Sequence, residues 1–181
     1  MTSVLRSLRL SSRQRSVKKL DLVCFSATAS FIASGAIGAV GVASIRRVRK
    51  PRDLAIAVVP IMFSIQQALE GVIWLSLNQP LINLLTTGGY LLFAYAFWPA
   101  FIPWCVRLIE PSRSRRKILL PFMAGGILVG LYGLWMVFFL PSHAIAINQG
   151  LQYHALEQYG AFGAIYAMAV CGSCLLSTSK W

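Results

Sequence analysis

The chain has 181 residues, of which 57% are hydrophobic and only 12% are charged, and its mean hydropathy is +0.67. Soluble domains carry about 25% charged residues, so this composition excludes an ordinary water-soluble protein. The formal net charge of +12 could suggest a nucleic-acid partner. Every Lys and Arg, however, lies in a tail, a connection or the end of an apolar run, so we expect a lipid bilayer as partner and no nucleic acid.

The chain opens with a basic tail. Residues 1–21 hold six Lys or Arg and no acidic residue before Asp21, a composition typical of a targeting segment or of translated upstream sequence. We therefore divide the chain into a dispensable extension, residues 1–21, and a transmembrane helical domain, residues 22–181.

Five apolar runs follow the tail, each close to the roughly 20 residues that a helix needs to cross a hydrocarbon core of about 30 Å. The connections between them are too short to fold as soluble domains. The sequence therefore predicts an all-α, polytopic transmembrane helix bundle. Its five predicted spans are Leu22–Ile45, Leu54–Leu77, Leu84–Ile109, Ile118–Leu140 and Tyr159–Leu176.

The charges of the connections predict the orientation of the bundle. Basic residues crowd into Arg46–Asp53 and Glu110–Lys117, whereas Asn78–Asn83 and Pro141–Gln158 contain none. By the positive-inside rule the two basic connections, which are the first and the third along the chain, face the cytoplasm, and this puts the N-terminus outside.

The first predicted span is rich in small residues. Ser26, Ser30, Ser34 and Gly38 recur at four-residue spacing, so they form one stripe on which another helix can approach closely. The alternative is that the Ser26 hydroxyl lines a polar cavity near the outer end of the span.

The second predicted span contains the acidic residue Glu70. Gln66, Gln67, Glu70 and Trp74 can share one helix face, because their spacings combine steps of three and four residues. An ionisable side chain at depth costs roughly 2.5–3.5 kcal/mol on insertion scales, so we expect this face to point into the bundle. It could bind a ligand, ion or proton, or it could clamp helices together by hydrogen bonds.

A metal site is a weaker alternative at the same end of the bundle. Cys24 and Ser26 lie at a depth similar to that of Glu70, and both histidines, His143 and His154, lie in the outer connection. Zinc accepts such Cys, His and Glu ligands, but no HxxxH or HExxH spacing is present. We therefore interpret the histidines as ordinary loop residues and expect no cofactor, keeping a metal-assisted membrane hydrolase as the alternative.

Three segments carry a resemblance to a known family: CFSATASF (Cys24–Phe31), RRVRKP (Arg46–Pro51) and QQALEGVIWLSL (Gln66–Leu77), the last with a QQxxEGxxW pattern. From Val23 to Trp181 the chain resembles an uncharacterised family of bacterial multi-pass membrane proteins whose chains open with Met-Cys-Phe-Ser. The resemblance implies the bacterial inner membrane and a seven-span architecture of which this chain is a shortened member. It implies no activity.

The sequence thus predicts an integral membrane protein that binds or passes a small ligand or proton around Glu70. The ligand-binding candidates are Glu70, Gln66, Gln67, Trp74, Cys24 and Ser26. A membrane hydrolase is the second interpretation and a structural subunit the third. Whether the protein is an enzyme, and whether it forms an oligomer or has a membrane partner, the sequence leaves open.

Overall fold

The computed structural model describes residues 26–140, 142–147, 150–153 and 160–177. A 3-10 turn, Pro51–Asp53, precedes the second helix, and a π-helical segment, Leu92–Phe97, joins the fourth helix to the fifth. Two short strands, β1 (Ala144–Ile147) and β2 (Gly150–Tyr153), pair antiparallel as a hairpin. The helices are α1 (Ala27–Arg46), α2 (Leu54–Ala57), α3 (Val59–Leu75), α4 (Pro80–Leu91), α5 (Trp98–Ile109), α6 (Arg113–Phe139) and α7 (Gly160–Leu176).

The all-α membrane class is confirmed. Four helical stretches of the described chain are long and apolar enough to cross a bilayer: Ala27–Arg46, Pro51–Leu75, Pro80–Ile109 and Arg113–Phe139. They correspond to the first four predicted spans. The fifth corresponds to α7, which has 17 residues, at the lower end of the length that spans, so its crossing stays a prediction. The predicted extension, residues 1–21, lies outside the described residues.

Helix boundaries differ from the apolar runs because capping, not hydropathy, decides where a helix begins. α4 starts at Pro80, four residues before the predicted Leu84, since proline's fixed φ and missing N–H suit the first helical position. α6 starts at Arg113 rather than Ile118, because the Ser112 side chain caps it by accepting from the Arg115 N–H.

α1 packs against α3 through its small residues. The Ser34 hydroxyl donates to the Ser64 carbonyl at 2.9 Å, and the Ser64 hydroxyl donates back to the Ser34 carbonyl at 2.8 Å. At Gly38 an added Cβ would lie 2.8 Å from the Ser64 Oγ, so only glycine permits this approach. The close-packing interpretation of the serine stripe is therefore confirmed for this part of α1.

α5 and α6 approach each other closely where prolines leave backbone carbonyls of the α5 stretch without a hydrogen bond and where α6 has glycines without a side chain. Pro99 and Pro103 lack the N–H groups that would bond the carbonyls of Tyr95 and Pro99 in an α-helix. Those carbonyls face Gly133 and Gly126 of α6, where any Cβ would collide with them. Close Cα–H···O contacts of this kind are common between helices, and they explain why this long helix carries glycines at its interface.

The hairpin β1–β2 is fixed onto α4. The Asn83 Nδ2 donates to the Ala144 carbonyl at 3.1 Å, and the Ala144 N–H donates to the Asn83 Oδ1 at 3.0 Å. Across the hairpin Ala144 pairs with Tyr153, whose ring stacks on Tyr90 with centroids 5.2 Å apart. The hairpin was not predicted from the sequence, which indicated only a loop in this connection.

Candidate functional site

Glu70 lies on α3 near the end of the bundle that carries the hairpin, and it is partly buried. The Gln67 Nε2 donates to the Glu70 Oε2 at 2.7 Å. This hydrogen bond joins two residues of one helical turn, so it orients the carboxylate without tying α3 to another helix.

Gln66 has a different role from its two polar neighbours. It is buried, and its Oε1 accepts a hydrogen bond of 2.6 Å from the Nε1 of Trp98 at the start of α5. The Trp98 ring also stacks on Phe63 of α3, with centroids 4.2 Å apart. The interhelical clamp that the sequence offered as one interpretation is therefore made by Gln66 and Trp98.

Two tyrosine side chains, Tyr90 and Tyr153, lie within electrostatic range of Glu70. The Tyr90 hydroxyl of α4 is within hydrogen-bonding range of Gln66 and Tyr153 and interacts electrostatically with Glu70. Tyr153 of β2 interacts with Glu70 as well, and Tyr95 of the π-helical segment interacts with both Tyr90 and Tyr153. The site thus combines one carboxylate with several phenol hydroxyls, which can both donate and accept hydrogen bonds.

Tyr153 is the member of this group that the hairpin supplies. Burial, reinforced by the nearby Tyr90 and Glu70, raises the pKa of Tyr153 above the usual 10.0. Its hydroxyl therefore stays protonated at neutral pH and lies within hydrogen-bonding range of Tyr90.

The other predicted site residues are distributed less compactly. Trp74, one turn beyond Glu70 on α3, has its Nε1 buried and without an acceptor among the described residues. The Ser26 hydroxyl accepts from the Ala29 N–H and so serves as the N-cap of α1. Cys24 and His154 lie outside the described residues.

The metal alternative receives no support from the described residues. His143 is exposed just ahead of β1. Within the described ranges, no three His, Cys, Asp or Glu side chains lie together in a way that could hold a metal ion.

A second buried carboxylate, Glu110, lies at the opposite end of the bundle and was not singled out from the sequence. Only 1% of it is exposed. Its Oε1 accepts from the Ser112 N–H at 3.0 Å and its Oε2 from the Ser177 hydroxyl at 2.8 Å. Glu110 thus ties the end of α5 to the residue that follows α7, which is a structural use of a carboxylate.

Sequence reasoning missed the aromatic half of the site. Tyr90, Tyr95 and Tyr153 are distant in sequence from Glu70, and nothing in their local pattern points to it. A weak signal existed for Trp98, which lies next to Pro99 deep in the third predicted span.

The fold and the site together define a multi-pass helical membrane protein with a polar, tyrosine-lined centre. Residues 23–181 match the family of unknown function DUF6629, and the chain belongs to that family. The match confirms the resemblance to a family of unknown function and begins at Val23, as the resemblance implied. Neither a curated protein nor a solved structure matches the chain.

Proposed function

We propose that this protein binds or passes a small ligand or a proton at Glu70, with Gln67 orienting the carboxylate and Tyr90 and Tyr153 surrounding it. The observation that supports the proposal is that Gln66 and Glu70 of α3 have different hydrogen-bond partners. Gln66 makes the interhelical hydrogen bond to Trp98, whereas the hydrogen bond of Glu70 comes from its own helix. Packing therefore does not account for an acidic residue at position 70, where a glutamine would serve as well.

The chemistry around Glu70 leaves capacity for a ligand. A carboxylate accepts about four hydrogen bonds, and the described residues give Glu70 one, from Gln67. One turn further along α3, the Trp74 Nε1 is a buried donor without an acceptor in the described ranges. The Glu70 carboxylate as acceptor and the Trp74 Nε1 as donor, one helical turn apart, could together bind a small polar molecule.

The electrostatics favour a cationic guest or a proton. The basic residues of the described chain lie between Arg46 and Arg52 or between Arg107 and Lys117, near the other end of the helices. Leu54, where α2 begins, is about 24 Å from Glu70 by helical rise. Intramembrane carboxylates commonly mark ion and proton pathways, and the phenol hydroxyls of Tyr90 and Tyr153 can relay a proton to or from this one.

The same contacts support the predicted orientation. The Cys105 Sγ of α5 donates to the Ala55 carbonyl of α2 at 3.5 Å, which brings the Arg46–Asp53 and Glu110–Lys117 connections to one end of the bundle. We propose that this end is the cytoplasmic one and that Glu70 lies toward the outer face.

The proposal is tested by labelling the purified protein with a hydrophobic carbodiimide, which modifies carboxyl groups in apolar surroundings, and locating the adduct by peptide mass spectrometry. We expect Glu70 to be modified and Glu110, whose oxygens are held by protein donors, to be spared. Glu70→Gln should keep the thermal stability of the wild type, whereas the matched control Glu110→Gln should lower it. An unmodified Glu70, together with a Glu70→Gln variant that unfolds more easily, would show that Glu70 only packs.

The ligand and proton versions of the proposal differ in a second measurement. Proteoliposomes carrying a pH-sensitive dye report proton entry when a gradient is imposed. If Glu70 passes protons, wild-type liposomes acidify faster than Glu70→Gln liposomes. If it binds a ligand, the two acidify alike and the carbodiimide adduct forms more slowly when that ligand is present.

A further inference from the structure

An apolar groove runs along the third spanning stretch. Its volume is about 540 Å³, and six of its lining residues come from the π-helical segment and α5, while the seventh, Ile127, belongs to α6. The lining residues are Leu92, Ala96, Phe97, Ala100, Phe101, Trp104 and Ile127. We call this feature the α5–α6 groove.

The groove exists because small and large residues alternate along one side of α5. Ala96 and Ala100 contribute only methyl groups to the lining. Phe97 stacks on Phe101 with centroids 4.5 Å apart, and Phe101 lies 5.7 Å from Trp104. The aromatic rings therefore form a continuous apolar wall of the groove.

The length of the groove corresponds to one leaflet of a bilayer. From Leu92 to Trp104 the helix rises about 18 Å, and half of a hydrocarbon core measures about 15 Å. Trp104, at the end nearer the basic connection, is 44% exposed, as befits a tryptophan at the membrane interface. An acyl chain of a lipid in that leaflet matches both the length and the apolar lining.

Positive charge lies at the interfacial end of the groove. Arg107 follows Trp104 by one helical turn, and its Nε is buried without an acceptor among the described residues. The exposed side chains of Arg113, Arg115 and Arg116 begin α6 at the same end.

We propose that the α5–α6 groove binds one anionic phospholipid, with an acyl chain along Phe97 and Phe101 and the phosphate beside Arg107. A guanidinium pairs with phosphate oxygens through two parallel donors. Each basic residue near an anionic membrane surface adds attraction that a zwitterionic head group does not receive. This site is independent of the ligand or proton site at Glu70.

The test is native mass spectrometry of the delipidated protein with phosphatidylglycerol, phosphatidylcholine or inorganic phosphate added. We expect one phosphatidylglycerol to bind about five-fold more tightly than phosphatidylcholine, and inorganic phosphate not to bind, since it cannot fill the groove. Arg107→Gln should remove the preference between the two lipids, and Ala96→Phe, which fills the groove, should weaken both.

Two variants control for general effects of charge and size. Arg113→Gln removes an exposed charge at the same end, and Leu128→Phe enlarges an α6 side chain that is 67% exposed and outside the groove lining. Leu128→Phe should bind the lipids as the wild type does, and Arg113→Gln should lose less of the preference for phosphatidylglycerol than Arg107→Gln. If Ala96→Phe fails to fold, Ile127→Phe, at a wall position that is 41% exposed, replaces it. Three results would overturn the proposal. They are equal binding of both lipids by the wild type, equal losses in Arg113→Gln and Arg107→Gln, and unchanged binding in the groove-filling variant.

Discussion

Replacing Asn83 by alanine should release the hairpin from the bundle. Asn83 is 3% exposed and Ala144 is 2% exposed, so neither the N–H nor the carbonyl of Ala144 can turn to water while the hairpin stays in place. In Asn83→Ala both groups lose their partner, and the hairpin remains held chiefly by the stacking of Tyr153 on Tyr90.

The size of the effect follows from the two lost hydrogen bonds. Each contributes about 1 kcal/mol net, so the docked hairpin should lose about 2 kcal/mol relative to the undocked one. Since 1.4 kcal/mol is a factor of ten, the undocked fraction rises about 30-fold. The loss is local, because the serine hydrogen bonds that join α1 to α3 do not involve Asn83.

Hydrogen exchange followed by mass spectrometry measures this opening directly. Peptides that cover β1 and β2 should exchange about 30-fold faster in Asn83→Ala, while peptides from α1 and α3 keep the wild-type rate. Asn78→Ala, at an exposed position in the preceding turn, is the matched control and should change nothing. Unchanged exchange in the hairpin, or the same acceleration in both variants, would refute the role assigned to the Asn83 amide.

Three further predictions concern stability. Gly126→Ala should lower the free energy of unfolding in detergent by about 1–3 kcal/mol, because its Cβ meets the Pro99 carbonyl. Gly125→Ala, with open space around the new methyl, should be as stable as the wild type or more stable. Equal losses in the two variants would contradict the packing described. Ser34→Ala and Ser64→Ala should each destabilise by about 1 kcal/mol. Their double mutant should lose less than the sum, because the two hydroxyls also lie 3.2 Å apart and share one hydrogen bond; strict additivity would count against that hydroxyl–hydroxyl bond. Because the pKa of Tyr153 is raised in the folded protein, the unfolded chain releases this proton at a lower pH, so stability should fall as the pH rises above about 10. In Tyr153→Phe the stability should fall less steeply with pH. An unchanged pH profile in that variant would refute the burial of the Tyr153 hydroxyl.

The membrane class and most of the helical architecture could be predicted from the sequence because they depend on local composition. Runs such as the one around Glu70 are apolar over a length that would be unfavourable in water. In lipid, a helix satisfies all the backbone hydrogen bonds of such a run within the run itself. Pro60 and Pro99 are likewise local features, since a proline inside a helix removes a backbone hydrogen bond whatever its surroundings. The interruption at Pro60 appears as the break at Val58 between α2 and α3.

The candidate site could be predicted only in part. Spacing on one helix placed Gln66, Gln67 and Glu70 together, but it could not tell which of them bonds another helix. That difference depends on where Trp98 lies, 32 positions away along the chain, and a helical periodicity carries no information about the neighbour that it faces.

What the sequence by itself determined is therefore that the protein lies in a lipid bilayer, that most of it is helical, and that α3 carries a carboxylate within an apolar run. The tertiary structure decided that Gln66 bonds Trp98 and that Tyr90 and Tyr153 come within electrostatic range of Glu70. It also decided that a hairpin, pinned by Asn83, covers that end of the bundle. The physical reason is that composition and periodicity act within a few residues, whereas hydrogen bonds such as Asn83 to Ala144 join residues that only packing brings together.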